Sequence, residues 1–186
     1  TNPFRGALDG GNHTIAGLKI ESNGDDPVGL FGYVDVKFNY SIYKPSGYVT
    51  YNDVTYVKNL KISNAQVSNK GNAGILVGQL IYDTNKPDVY DPGEPHFTIE
   101  NVHFIDGKVS SSDGDAGVMI ANINIVPRAF NVPYLDVNNV YSSVRIAGRH
   151  SSGLIGYIND YYISGTAIKL HVTMSNFQNA GIIDVN

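Results

Sequence analysis

Val57-Lys-Asn-Leu-Lys-Ile-Ser-Asn-Ala-Gln-Val67, then the turn cluster Ser68-Asn-Lys-Gly-Asn72, then Ala73-Gly-Ile-Leu-Val-Gly-Gln-Leu80, is the stretch that decides the fold. Apolar and polar residues alternate at Leu60 and Ile62 and again at Ala65 and Val67, the period of a half-buried strand. The alternation breaks at Asn59 and Asn64, and Asn tolerates left-handed backbone and bonds its own neighbours, so both positions read as bends. The glycines of the last segment mark a strand with no room for a bulky side chain. Short strands joined by bends make one turn of a coil. With strands of about five residues rising ~3.3 Å each, one turn takes about 24 residues, and successive turns stack through parallel ladders ~4.8 Å apart.

The phrase returns along the chain. Ile15-Ala-Gly-Leu18 precedes Gly29-Leu-Phe-Gly-Tyr-Val34, Ile99-Glu-Asn-Val102 precedes Gly117-Val-Met-Ile-Ala-Asn-Ile123, and Val137-Asn-Asn-Val140 precedes Gly153-Leu-Ile-Gly-Tyr-Ile158. With Val57 as the second start, the copies begin 42, 42 and 38 residues apart. Each copy is one supersecondary unit that buries its apolar face against its neighbours. The expected fold is all-β, a parallel β-helix of about four to five coils forming a single domain over residues 1–186. Ile168 to Val185 reads as a weak final coil. In such a stack Asn59, Asn101 and Asn139 lie above one another as a hydrogen-bonded ladder, and Gly29, Gly74, Gly117 and Gly153 form a steric column.

A coil uses only part of each period. The remainder leaves from one place in the cycle as inserts over residues 35–56, 81–98, 124–136 and 159–167, expected to project on one side and lie over each other. Tyrosines collect in them. Val36, Phe38, Tyr40 and Ile42, the turn Lys44-Pro-Ser-Gly47, then Tyr48 and Thr50 spell a β-hairpin. Tyr43, Tyr48, Tyr51, Tyr82, Tyr90, Tyr134, Tyr161 and Tyr162 are the candidate ligand-binding residues, because exposed tyrosines offer flat amphipathic surfaces to sugar rings or protein partners. The bland reading is that the rings fold down onto the coil.

Composition narrows the function classes. Net charge is −4 and 16% of residues are charged, which leaves no electrostatic footprint for nucleic acid or an anionic membrane. No apolar run approaches the roughly 18 residues of a membrane helix. There is no cysteine, hence no disulfide and no thiolate metal site. The start at Thr1-Asn-Pro, without Met, reads as an internal boundary of a longer polypeptide with flanking domains.

Phe4-Arg-Gly-Ala-Leu-Asp-Gly-Gly-Asn-His-Thr-Ile-Ala-Gly-Leu-Lys-Ile20, followed by Val28-Gly-Leu-Phe-Gly32, resembles the opening repeat of GLUG-motif proteins, and Val57 to Gly78 resembles the repeats that follow it. The resemblance covers Phe4 to about Ile158. It implies a right-handed β-helix within a large bacterial surface or secreted protein, either an adhesin or the amino-terminal repeat region of an IgA-cleaving zinc metallopeptidase. The long inserts and Met119-Ile-Ala-Asn122 depart from the pattern.

Catalysis has thinner support. The five histidines show no His-Glu-x-x-His spacing, so no zinc site and no catalytic residue is assigned. Polysaccharide lyase or hydrolase chemistry would draw on Asp83, Asp88, Asp91 and Glu94 with Arg128, but Asp-Pro-Gly-Glu-Pro is first a rigid turn. Ser111-Ser-Asp-Gly-Asp115 and Asn23-Gly-Asp-Asp26 carry oxygen ligands for calcium without EF-hand spacing, so plain turns are expected and no cofactor is assigned. The expected function is a non-catalytic, extracellular β-helix segment of a cell-surface adhesin whose Tyr-rich face binds a glycan or a cell-surface protein. A structural stalk of a secreted zinc metallopeptidase is the alternative.

Overall fold

The computed structural model describes residues 2–36, 39–52, 55–83, 91–92, 95–126, 133–148, 150–159, 162–163, 166–167 and 170–185. Every regular element among them is a strand. The first copy holds β1 (Ala7–Ala16), β2 (Lys19–Glu21) and β3 (Phe31–Asp35), and is followed by the hairpin β4 (Asn39–Lys44) and β5 (Gly47–Asn52). The second copy is β6 (Thr55–Asn69), β7 (Ala73–Gly74) and β8 (Val77–Asp83), with β9 (Asp91–Pro92) after it. The third is β10 (His96–Ser111), β11 (Asp115–Gly117) and β12 (Ile120–Val126). The fourth is β13 (Tyr134–Ser142), β14 (Arg145–Gly148), β15 (His150–Ser152) and β16 (Ile155–Asn159), followed by the short pair β17 (Tyr162–Ile163) and β18 (Thr166–Ala167). A fifth rung is β19 (His171–Asn179) and β20 (Ile183–Val185).

Equivalent strands stack in parallel. The largest sheet runs β1-β6-β10-β13-β19, a second β7-β11-β15 and a third β3-β8-β12-β16, so all three pass through the copies in the same order. Equivalent strands of successive copies are thus neighbours in each parallel sheet. Apolar residues of the middle rungs meet inside, where Ile62, Ile75, Leu76, Leu80, Phe97, Ile99, Phe104, Met119 and Ile123 are at most 1% exposed. Each such side chain contributes about 1.5–3 kcal/mol by leaving water.

The bends do not interrupt pairing. β6 continues through Asn59 (φ 54°) and Asn64 (φ 52°), and β10 through Asn101 (φ 53°) and Asp106 (φ 53°). The Asn amides close the predicted ladder: Asn139 Nδ2 donates to Asn101 Oδ1 and Asn101 Nδ2 to Asn59 Oδ1, both at 3.0 Å. Asn59 Nδ2 in turn reaches Asp9 Oδ1 at 3.0 Å, so a carboxylate accepts at the end of the row.

Two alignments are corrected. The repeat pattern phases the first copy on Ile15, whereas the structure pairs Leu8 with Val57 and Ile15 with Ile62, because Gly10-Gly11-Asn12 together oppose Asn59. Gly29, Gly74 and Gly117 do share a column, where a Cβ on Gly29 would meet Gly74 O at 2.7 Å, but the fourth copy puts Ser152 there. Gly153 lies one residue further on, since the fourth copy is shorter between its bends and this strand.

The hairpin stands where the alternation places it, with Tyr43 opposite Tyr48 and Tyr40 opposite Tyr51. β4 also pairs with β9, through Tyr40 with Pro92 and Ser41 with Asp91. The first and second inserts are thus hydrogen-bonded to each other in one small antiparallel sheet.

Candidate functional site

The tyrosine candidates separate into three groups. Tyr82 is withdrawn as a ligand-binding residue: it is 0% exposed, and its hydroxyl donates to Tyr134 O at 2.8 Å. It continues the inward alternation of Leu80 on β8, so it closes the interior where the chain leaves for its insert. Burial, and secondarily the Asp136 charge, hold its phenol well above the usual value of 10.0. Tyr43, Tyr48, Tyr51 and Tyr162 occupy described strand backbone, while their side chains, together with Tyr90 and Tyr161, lie outside the described residues. The side chains of Asp83, Asp88, Asp91, Glu94 and Arg128 lie outside them as well.

Tyr134 is the third case. It stands in register between His96 and His171, and the three rings stack, with centroids 4.5 Å apart for His96–Tyr134 and 4.9 Å for Tyr134–His171. His96 Nδ1 lies 3.0 Å from Asp136 Oδ2. Both faces of Tyr134 are therefore covered by imidazoles. A sugar that needs a flat ring to stack on finds no open face here.

Sequence reading passed over a polar cluster that the parallel register assembles. Asp115 and His150 are directly opposite on β11 and β15, and His150 Nδ1 lies 2.9 Å from Asp115 Oδ1. The second carboxylate oxygen, Oδ2, accepts from Asn122 Nδ2 at 2.7 Å, and the Asp115 backbone N–H donates to Asn72 Oδ1 at 3.0 Å. Asp115 is 7% exposed, whereas the His150 side chain is 52% exposed and stacks on Tyr157 with centroids 5.6 Å apart. A buried carboxylate at Nδ1 fixes the imidazole and turns Nε2 outward as a hydrogen-bonding or proton-accepting group. That is half of a general-base arrangement. Among the described residues no group of three His, Cys, Asp or Glu side chains is placed to hold a metal.

The calcium turns are engaged internally. Asp115 spends its carboxylate on Asn122 and His150, Ser111 Oγ donates to Gly71 O at 2.7 Å, and Asp25 Oδ1 pairs with Lys70 Nζ at 2.7 Å. These residues hold successive rungs together as turns. No helix among the described residues is long and apolar enough to cross a membrane.

Fold and site together define an all-β chain of stacked parallel repeats with a separate, antiparallel sheet built from its inserts. No family model matches it. No solved structure matches it. A stretch of 75 residues, 40% of the chain, is 32% identical to Halomucin of Haloquadratum walsbyi, and it amounts to 1% of that protein.

Proposed function

We propose that this chain is a non-catalytic segment of a large extracellular, cell-surface protein of the GLUG-repeat kind, in which a right-handed parallel β-helix carries an adhesive face made by its inserts. Right-handedness follows from the general chirality of parallel crossovers. The observation that carries the reading is the pairing of β4 with β9, which joins two inserts from successive copies into one ordered sheet beside the stack. A chain that needed only a spacer has no use for ordered inserts of this length, since long connections are ordinarily functional or unstructured. The similarity to part of Halomucin supports a place in a very long polypeptide. The partner is a glycan or a protein of a neighbouring cell surface.

The test is retention of the chain on a glycan array and on cells, with Tyr51→Ala and with residues 39–52 replaced by a short turn. The expected result is retention by the native chain, loss in both variants and an unchanged melting temperature. The stalk reading draws on Tyr82 and Tyr134, both already committed to packing, and predicts no retention by any form. Release of product from a polysaccharide panel would overturn the non-catalytic reading.

A further inference from the structure

At the outer edge of the first copy, Phe4 forms an extra parallel rung beside β3. Its N–H donates to Tyr33 O at 2.9 Å, and its carbonyl accepts from Asp35 N–H at 3.0 Å. Between this rung and the turn at Asp26-Pro27 a cleft of about 370 Å³ opens, lined by Pro3, Phe4, Asp26, Pro27, Phe31 and Tyr33. The volume falls in the range of clefts that hold small ligands, roughly 300–1,000 Å³.

The walls are preorganised. Gly32 lets the turn close onto β3, because a Cβ there would meet Pro27 O at 2.9 Å. The Asp26 carbonyl accepts from the buried Asn69 amide at 2.8 Å, and Val28 N–H donates to Asn72 O at 3.0 Å. Burial first, and then the Asp26 carboxylate, keep the Tyr33 phenol above its usual value, so it remains a donor. Asp26 itself is exposed. Its carboxylate offers about four lone-pair sites to a ligand's hydroxyls.

We propose that this cleft is a binding site for a neutral pyranose residue of a glycan. Phe4, Phe31 and the two prolines supply the apolar surface that a sugar ring's C–H face covers, and Asp26 accepts from its hydroxyls. Two features select this class. The Phe4 and Phe31 rings stack on each other, with centroids 4.3 Å apart and planes 29° apart, so their faces do not converge from two sides as a cage for an ammonium group. The Asp26 carboxylate disfavours uronic and sulfated sugars by like-charge repulsion. The site is separate from the insert sheet.

The test is an NMR titration of the native chain with the methyl glycosides of glucose, galactose and mannose, with tetramethylammonium and glucuronate as comparators. Saturation transfer from the protein to at least one hexoside is expected, with shifts at Phe31 and Tyr33. Asp26→Asn, at an exposed side chain, weakens the binding constant about tenfold, the effect of losing one charge-assisted hydrogen bond. Phe31→Leu, which keeps apolar volume, abolishes transfer while the amide spectrum stays native. Replacing residues 39–52 leaves the titration unchanged, so failure of the insert reading and failure of this one are distinguishable. Absence of transfer from all three hexosides overturns the proposal, as does tetramethylammonium binding in their place or binding indifferent to Asp26→Asn.

Discussion

The middle of the stack and its first rung meet the same bend in different ways. Between β6 and β10 the register never slips: partners stay 42 residues apart from Thr55 with Phe97 to Asn69 with Ser111. Between β1 and β6 they are 49 apart up to Asp9 and 47 from His13 onward. The slip is confined to Gly10-Gly11-Asn12, where Gly11 (φ 56°) and Asn12 (φ 62°) take left-handed backbone opposite Asn59. Because it is a slip of two, an even number, residues on both sides keep their inward or outward face, which a slip of one would have reversed. At this bend an even slip keeps both flanks in phase while the number of residues in the bend varies.

The largest expected effect contrasts the middle with the far end. Phe104 on β10 is 0% exposed, while Phe177 on β19 is 50% exposed because no rung among the described residues covers it. Phe104→Ala should cost about 3–5 kcal/mol through the lost transfer and the cavity left behind. Phe177→Ala should cost about 1 kcal/mol, as half of its surface is already in water. Urea denaturation of both variants followed by circular dichroism decides it. Equal losses would mean that something covers β19 as closely as β13 covers β10.

The same contrast explains what could be read in advance. Asn59 and Asn64 announced their bends because Asn at a break in alternation has a backbone reason to be there, and the ladder through Asn101 and Asn139 followed from the repeat. The phase of the first copy did not, since Leu8 and Ile15 both begin an apolar phrase and only pairing with β6 chooses between them. Gly153 was displaced by a shortening of the fourth copy that no local pattern marks. Tyr82 was legible: it lies two residues after Leu80, on the inward beat, and its place in a Tyr-rich insert obscured that. The Asp115–His150 pair had no local signature, because the two residues are 35 positions apart and meet only through parallel register.

A mid-sized effect separates backbone from hydrogen bonding within the ladder. Asn101 combines left-handed φ with an amide that both donates and accepts. Asn101→Ala should cost about 2–3 kcal/mol, of which 1–2 is the left-handed penalty of a Cβ. Asn101→Gly keeps the backbone and loses only the amide, for about 1 kcal/mol. If the two variants melt together, the φ requirement is not what places Asn in this column, and the account of the first-rung slip fails with it.

The smallest effect concerns the ladder's own end. Inside the stack the row is amide to amide and carries no titrating group, whereas at β1 it ends on the Asp9 carboxylate. The Asn59 amide first, then the Gly11 N–H, hold that carboxyl below its ordinary value of 3.8, with Lys58 Nζ at 3.6 Å adding to the effect. A depressed pKa in the folded state stabilises above the ordinary value, and the contribution is lost as pH falls through the lower, folded one. Between about pH 4 and pH 2 the native chain should therefore lose more melting temperature than Asp9→Asn, which keeps an acceptor but has no proton to bind. Asn101→Gly, weaker at every pH, should show the native acid slope because it removes no ionisable group. An unaltered slope in Asp9→Asn would break the contrast, since the end of the row would then be as indifferent to acid as its middle.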